Sequence, residues 1–209
     1  SHGILQRNGE EELRYYAAPP WPIYHATRTK LRVKFETPRC YLFQVAGPTS
    51  LQVLERATDE SLADIAFLRF RNAKIAGKNV EIGRIGMSGN LAYEIRGPLE
   101  EGPAVYDAVY RAGQGHGIQR LGWRTYLVNH VEGGFPQLMW TFNAAMLEDP
   151  GFAQFIGPNL PPFHYSGSVD PADKRARYRT PNEVGWQGAV RLNHEFIGRK
   201  AIEAEMANP

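Results

Sequence analysis

The chain has 209 residues, 43% of them apolar and 22% charged, with a formal net charge of +2. Such a chain buries a real core, and a charge this close to zero argues against a nucleic acid or an anionic membrane as partner. The single cysteine, Cys40, excludes an intrachain disulfide and implies a reducing, cytoplasmic setting; no run reaches the roughly 18 apolar residues of a membrane span, and no signal peptide is visible.

Residues 1–18 read as two short strands around Arg7-Asn8-Gly9-Glu10, since Asn-Gly favours a hairpin. Pro19, Pro20 and Pro22 then break the chain. Arg39–Val45 is an expected strand, with Cys40 as a small core residue among Tyr41, Leu42 and Phe43. Gly47–Ser50 is a turn and helix start, and Ser50–Ala57 is expected to be helical. Phe67–Ile75 and Asn79–Ile85 alternate around a turn at Gly77-Lys78, Leu91–Arg96 is a further strand, and Glu100–Ala112 carries Val105, Ala108 and Val109 at helical spacing. Strand, helix, strands and helix in this order predict an α+β split βαβ sandwich, an antiparallel sheet with helices on one face. Gly133–Val184 is rich in Pro, Gly and aromatics and is expected to be irregular, with its clearest break at Asn159–Phe163. The basic run Lys174–Arg179 reads as a solvated loop, and a final helix is expected from Ile197.

The stretch LGWRTYLVNHVEGGFPQ (121–137) has a helical period with an arginine inside it. On a wheel of about 100° per residue, Leu121, Trp123, Leu127, Val128 and Val131 form one apolar arc, and Arg124 falls between Val128 and Val131. A charge on a packed face must reach solvent, pair with a carboxylate, or face a polar cavity. Arg124 therefore either snorkels or bridges for structural reasons, or it faces a ligand pocket. Tyr126 and His130, four residues apart, are neighbours on this helix and read as boundary residues with packed rings and wet tips. No zinc motif, phosphate-binding glycine loop or nucleophile elbow is present, and the six scattered histidines argue against a metal site.

Three segments in order resemble the folate-dependent aminomethyltransferase superfamily, the group of the glycine-cleavage T-protein. Arg84-Ile85-Gly86-Met87-Ser88-Gly89-Asn90-Leu91-Ala92-Tyr93-Glu94-Ile95 is similar to that family's R-T-G-Y-T-G-E-D-G-F-E-I strand pair. Leu121-Gly122-Trp123-Arg124, running on to Glu132-Gly133-Gly134-Phe135-Pro136, resembles its L-G-A-R…E-A-G-L-P helix with two residues inserted. Val184-Gly185-Trp186, followed by Phe196-Ile197-Gly198-Arg199-Lys200-Ala201, resembles L-G-W…F-I-G-R-E-A. Near the start, Gly3-Ile4-Leu5-Gln6 lines up with G-I-I-D, so Gln6 stands where the T-protein carries its catalytic aspartate. An amide cannot take up an amine's proton or stabilise an iminium as a carboxylate does, which speaks against glycine cleavage. The C-Y-x-G-Q-E motif of the non-catalytic folate-binding relatives is absent too, since Cys40-Tyr41 continues Leu-Phe-Gln.

The W-R-T-Y-L-V-N-H-V-E-G-G-F-P helix most resembles that of the superfamily's bacterial aromatic O-demethylases, which act on vanillate, 3-O-methylgallate or syringate. This resemblance implies a ferredoxin-like folate-binding fold and a tetrahydrofolate-dependent methyltransferase of lignin-derived methoxybenzoates. Tyr126 falls at the catalytic tyrosine, a phenol matched in acidity to the phenol it releases. Glu94 is implied to bond the donor edge of the pterin, Arg124 to face the folate site, and Trp186 to pack on the cofactor. Met87 replaces a cofactor-contacting tyrosine, and His130 is placed near the substrate. The family's other parts have no counterpart here, so the chain is expected to be the middle of a longer enzyme. On that expectation residues 1–30 end a preceding folate-binding subdomain, 31–132 form the α+β subdomain, and 133–209 form an irregular segment leading to a C-terminal helix. Two further readings remain, an aminomethyltransferase of the glycine-cleavage kind and a folate-binding protein without catalysis.

Overall fold

The computed structural model describes residues 3–16, 20–159, 167–170 and 172–207. Leu160–Phe163, within the expected break, lie outside them, as do Ser1, His2 and Ala17–Pro19.

The opening hairpin pairs β1 (Ile4–Arg7) with β2 (Leu13–Tyr16). Its turn is longer than expected, because the Asn8 amide bonds the Glu12 carbonyl at 3.0 Å rather than closing at Glu10. The proline cluster does not simply break the chain: Pro22 sits in the first turn of α1 (Trp21–Ala26), where its missing N–H costs nothing. The main sheet follows, with β3 (Cys40–Ala46), α2 (Ser50–Thr58), β4 (Phe70–Ile75), β5 (Lys78–Gly83), β6 (Ala92–Pro98) and α3 (Gly102–Gly113). Its order is β3-β6-β5-β4, antiparallel throughout, so β6 and β5 stand between the two strands that α2 joins. The fold is α+β, the split ferredoxin-like sandwich expected from the order of elements.

Period-two alternation divides the sheet into two faces. Tyr41, Val45, Ile75, Val80, Ile82, Tyr93 and Ile95 point to one side and pack on Val53 and Leu54 of α2 and Val105 and Val109 of α3. Leu54, Ile82, Ile95 and Val105 are completely buried. Cys40 corrects the sequence expectation: it is the first residue of β3, one position out of phase with buried Tyr41, and is exposed. A second apolar cluster joins Tyr24 of α1, Leu138, Phe142 and Met146, and Phe152 of α5 (Pro150–Ile156). The described part of the Pro/Gly-rich region, irregular outside α5 and a few short turns, thus contributes a packed cluster. Asp149 caps α5, accepting from the Phe152 amide at 2.8 Å and the Tyr24 hydroxyl at 3.2 Å. Helix α4 (Trp123–Glu132) follows α3 in the chain, and α6 (Arg199–Ala207) is the last helix described.

Strands β4 and β5 are joined by Ala76 and Gly77, both with positive φ (50° and 73°), the pattern of a type I′ hairpin. Alanine is a poor choice at the first of these positions, since its Cβ disfavours the left-handed region where asparagine is tolerated. Ala76→Asn, at an exposed site, is expected to raise the unfolding free energy by about 0.5–1 kcal/mol in urea titrations. No gain would mean that the turn relaxes in solution.

Candidate functional site

The sheet face away from the helices carries charge. In β6 the alternation that sends Tyr93 and Ile95 inward puts Glu94 and Arg96 on this outer face, beneath the β1–β2 hairpin. Arg96 is 5% exposed and Glu94 3%. The Arg96 guanidinium donates to Glu94 Oε2, to Glu81 Oε1 at 3.0 Å and to Gln6 Oε1 at 2.6 Å. The Tyr16 ring lies 4.4 Å beneath it. Gln6 completes the set by donating its amide NH₂ to Asn8 Oδ1 and Glu81 Oε1, both at 2.8 Å. Burial holds the Glu94 carboxyl above its ordinary range, and the Arg96 charge offsets part of that shift. Among the described residues Glu94 Oε1 accepts no hydrogen bond, so one carboxylate oxygen is left for a ligand.

The second part of the site is α4, and here the structure corrects the sequence expectation. Leu121, Trp123, Val128 and Val131, read as the packed arc, are exposed, and so is Arg124. The helix packs through Tyr126, Leu127, Asn129 and His130 instead. Arg124 makes no ion pair with any described residue. His130, expected to have a wet tip, is 2% exposed, and neither ring nitrogen makes a hydrogen bond of ordinary geometry. Burial pushes its pKa below the usual histidine value, with the Phe135 backbone offsetting part of the shift, so the imidazole is held neutral. Its ring packs 4.4 Å from that of Tyr126, edge to face, and Trp123 stacks on Tyr126 at 5.4 Å.

Two consecutive glycines finish α4 for different reasons. Gly134 has φ of 67° and lets the chain turn back, with its N–H on the Val131 carbonyl at 3.0 Å and the Phe135 N–H on the His130 carbonyl at 2.8 Å. This Schellman closure carries Phe135 onto His130. Gly133 is needed for space, because a Cβ there would lie 2.7 Å from the Met87 carbonyl oxygen. The loop 84–91, which carries Met87 and runs into β6, is thereby pressed against the end of α4. Phe135 in turn meets Trp186 at 5.0 Å. Tyr126, His130, Met87 and Trp186 are thus joined by a continuous chain of contacts, and Glu94 lies one loop away on the strand that Met87 leads into.

A cavity of about 440 Å³ is bordered by Trp186 together with Trp21, Met146, Arg179 and Ile197. Neither Glu94 nor Tyr126 lines it. Its polar groups are already committed: Asp149 caps α5, and Arg179 bonds the Ala176 and Tyr178 carbonyls at 2.8 and 2.7 Å. Among the described residues no group of His, Cys, Asp and Glu is arranged to hold a metal. No described helix is long and apolar enough to cross a membrane.

Residues 20–144 match the GCVT N-terminal domain family. The chain belongs to that family. It is 39% identical over 211 residues to a sesamin methylene transferase of Sinomonas sp., an alignment covering 97% of this chain and 46% of the relative. It is 34% identical over 177 residues to a syringate O-demethylase of Sphingobium sp., covering 81% of this chain and 37% of the relative. An aminomethyltransferase of Caldanaerobacter subterraneus is 26% identical over 117 residues. The chain therefore spans less than half the length of the first two relatives. Membership of this family meets the superfamily expectation drawn from the three sequence segments.

Sequence reasoning passed over Arg96, Glu81 and Gln137. A signal for the first was available: in Tyr93-Glu94-Ile95-Arg96 a period of two places both charges on one face. Nothing local marked Glu81 or Gln137, because their partners are 15 and 11 residues distant. Arg96→Met is expected to cost about 3–5 kcal/mol in denaturant unfolding, since buried Glu94 loses its countercharge and Glu81 one of its two; a loss under about 1 kcal/mol would show that the group is solvated. His130 gives a pH signature. With its folded pKa depressed, the unfolded chain takes up a proton that the folded chain refuses. Its contribution is therefore intact above the ordinary histidine range and lost on acidification. The stability of wild type relative to His130→Phe should fall between about pH 8 and about pH 5, and a constant difference would contradict a buried neutral imidazole.

Proposed function

We propose that this chain is part of a tetrahydrofolate-dependent transferase that takes the methyl group from the ether oxygen of a methoxybenzoate of the vanillate or syringate type. The observation that carries this reading is Gln6. Its carbonyl is taken by Arg96 and its amide nitrogen by Asn8 and Glu81. Position 6 therefore offers neither a free base nor a negative charge, which aminomethyl transfer would need. The half-buried phenol of Tyr126 remains as the acid.

The residues fit a reduced pterin on chemical grounds. Glu94 Oε1 is an acceptor without a protein partner, suited to paired N–H donors. Ser88 Oγ, in the Met87 loop, is buried with no partner. Glu94 would hold the pterin edge, Met87 and Trp186 would pack on it, and exposed Arg124 would meet the anionic tail. When bound, tetrahydrofolate would supply N5 as acceptor of the carbon, with the proton of that nitrogen lost to solvent. Tyr126 donates its O–H proton to the ether oxygen as the C–O bond breaks and its electron pair passes to that oxygen. The phenol leaves neutral, and solvent reprotonates Tyr126. Such general acid help is worth roughly 10²–10⁴ in rate. Neutral His130 packs on the Tyr126 ring and would line the substrate side without adding charge.

A second reading is favoured by one comparison. The relative matched over 97% of the chain is named a methylene transferase, so the carbon taken could be the bridging CH₂ of a methylenedioxyarene. The test uses the full-length gene product, anaerobically, with tetrahydrofolate and either syringate, vanillate or a methylenedioxyarene. Methyltetrahydrofolate and the free phenol are expected, with turnover reduced roughly 10²–10⁴-fold in Tyr126→Phe and folate affinity weakened in Glu94→Ala. Methylenetetrahydrofolate from the third substrate alone would select the second reading. Release of ammonia from an aminomethyl-lipoyl carrier would overturn both, and tight folate binding without transfer to or from any substrate would leave a binding protein.

A further inference from the structure

Gln137 closes the stretch 121–137 but lies beyond the residues that carry the family resemblance. It follows the Gly133–Pro136 turn, and its backbone is held firmly: the Gln137 carbonyl accepts from the Trp140 amide at 3.1 Å, the Thr141 amide at 2.9 Å and the Thr141 hydroxyl at 2.8 Å. This anchoring aims the side chain back at α4, where Gln137 Nε2 donates to the Tyr126 hydroxyl oxygen at 3.2 Å. It is the one hydrogen bond the Tyr126 hydroxyl makes among the described residues. The other end of the amide, Oε1, is buried with no partner, as are both nitrogens of His130, whose ring packs on Tyr126. Leaving buried polar atoms unpaired costs about 1–3 kcal/mol each, and natural folds keep such groups mainly where they serve a ligand or a mechanism.

We propose that Gln137 is the positioning residue of the Tyr126 acid: by donating to the phenol oxygen it directs the hydroxyl hydrogen away from the protein and stabilises the negative charge that oxygen acquires as the proton leaves. This rests on the transfer reading above. A phenol beside an amide has two arrangements. If the amide carbonyl faced it, the phenol proton would be drawn to Gln137 and withheld from the ether oxygen. With the nitrogen facing it, that proton stays available, and the charge developing on Tyr126 meets a preset N–H dipole. The proton passes from Tyr126 to the leaving oxygen, nothing is transferred to Gln137, and Tyr126 is restored from solvent.

The discriminating substitution is Gln137→Glu, which keeps size and shape but replaces the donor by an acceptor. In the full-length protein kcat should fall roughly 10- to 100-fold with KM within about twofold of wild type. Isotope-edited infrared spectra of the Tyr126 C–O stretch supply a reading independent of turnover. Wild type should show the band of a phenol oxygen that accepts, and Gln137→Glu that of one that donates. Unchanged kcat in the variant, beside a wild type that transfers carbon and a Tyr126→Phe that does not, would overturn the role of Gln137 and spare the transfer reading. A wild-type band of donor type would overturn it too, whether or not the protein turns over. An accepting band in a protein inactive on every methoxyarene and methylenedioxyarene would keep the Gln137 contact and sink the transfer reading instead.

Discussion

One buried guanidinium holds the outer face of the sheet together. Arg96 reaches the hairpin through Gln6, the neighbouring strand through Glu81 and its own strand through Glu94. Burying two carboxylates is unfavourable unless each is paired and bonded, and a single cation between them leaves one negative charge over. Arg14, on the hairpin, meets the excess by bonding Glu81 Oε2 at 3.2 Å from a half-exposed position. The hairpin is therefore held to the sheet by charge more than by apolar contact, and Leu5 and Leu13 remain exposed on it. A group held so tightly is also preorganised. Glu94 keeps its geometry because Oε2 is anchored, and only Oε1 remains for another molecule.

The second constraint is steric and lies where the Met87 loop meets α4. No side chain fits at Gly133 without pushing into the backbone of residues 87–89, and φ at Gly134 favours glycine. Together they bring the loop entering β6, the ring chain Tyr126–His130–Phe135–Trp186 and the Gln137 amide into one neighbourhood. Carboxylate and phenol stand on different elements, and this glycine contact is what relates them. Loop placement by a rigid helix end gives a site more precision than either segment has alone.

Much of this was legible in the sequence. Alternation in Phe67–Ile75 and Asn79–Ile85 and helical spacing at Val105 and Val109 located the core. The orientation of α4 was not legible. Its hydrophobic stripe is real, yet the face buried among the described residues is the one bearing Tyr126 and His130. Periodicity says that a face is apolar and is silent on what lies over it. Cys40 failed for a similar reason, since composition placed it among apolar neighbours while the strand's phase turned it outward. Glu81, Arg96 and Gln137 depend on tertiary partners, and no local pattern announces a partner that folding supplies.

Gln6 shows how a single atom type sets what the site can do. Asn8 Oδ1 and Glu81 Oε1 both lie 2.8 Å from its amide nitrogen, and the Arg96 guanidinium lies 2.6 Å from its carbonyl oxygen. Two acceptors on one side and a donor on the other define the amide's orientation without ambiguity. A carboxylate here would satisfy Arg96 equally well. Its second oxygen, however, would meet two acceptors at hydrogen-bond distance, one of them the charged Glu81, in a place shielded from water. The surroundings of position 6 are therefore built for an amide, and restoring a free carboxylate would require Asn8, Glu81 and Arg14 to rearrange together. Chemistry that needs a charged base cannot rest on this residue. On the proposed transfer reading the proton donor therefore comes from elsewhere, from the stacked, half-buried phenol of Tyr126 on α4.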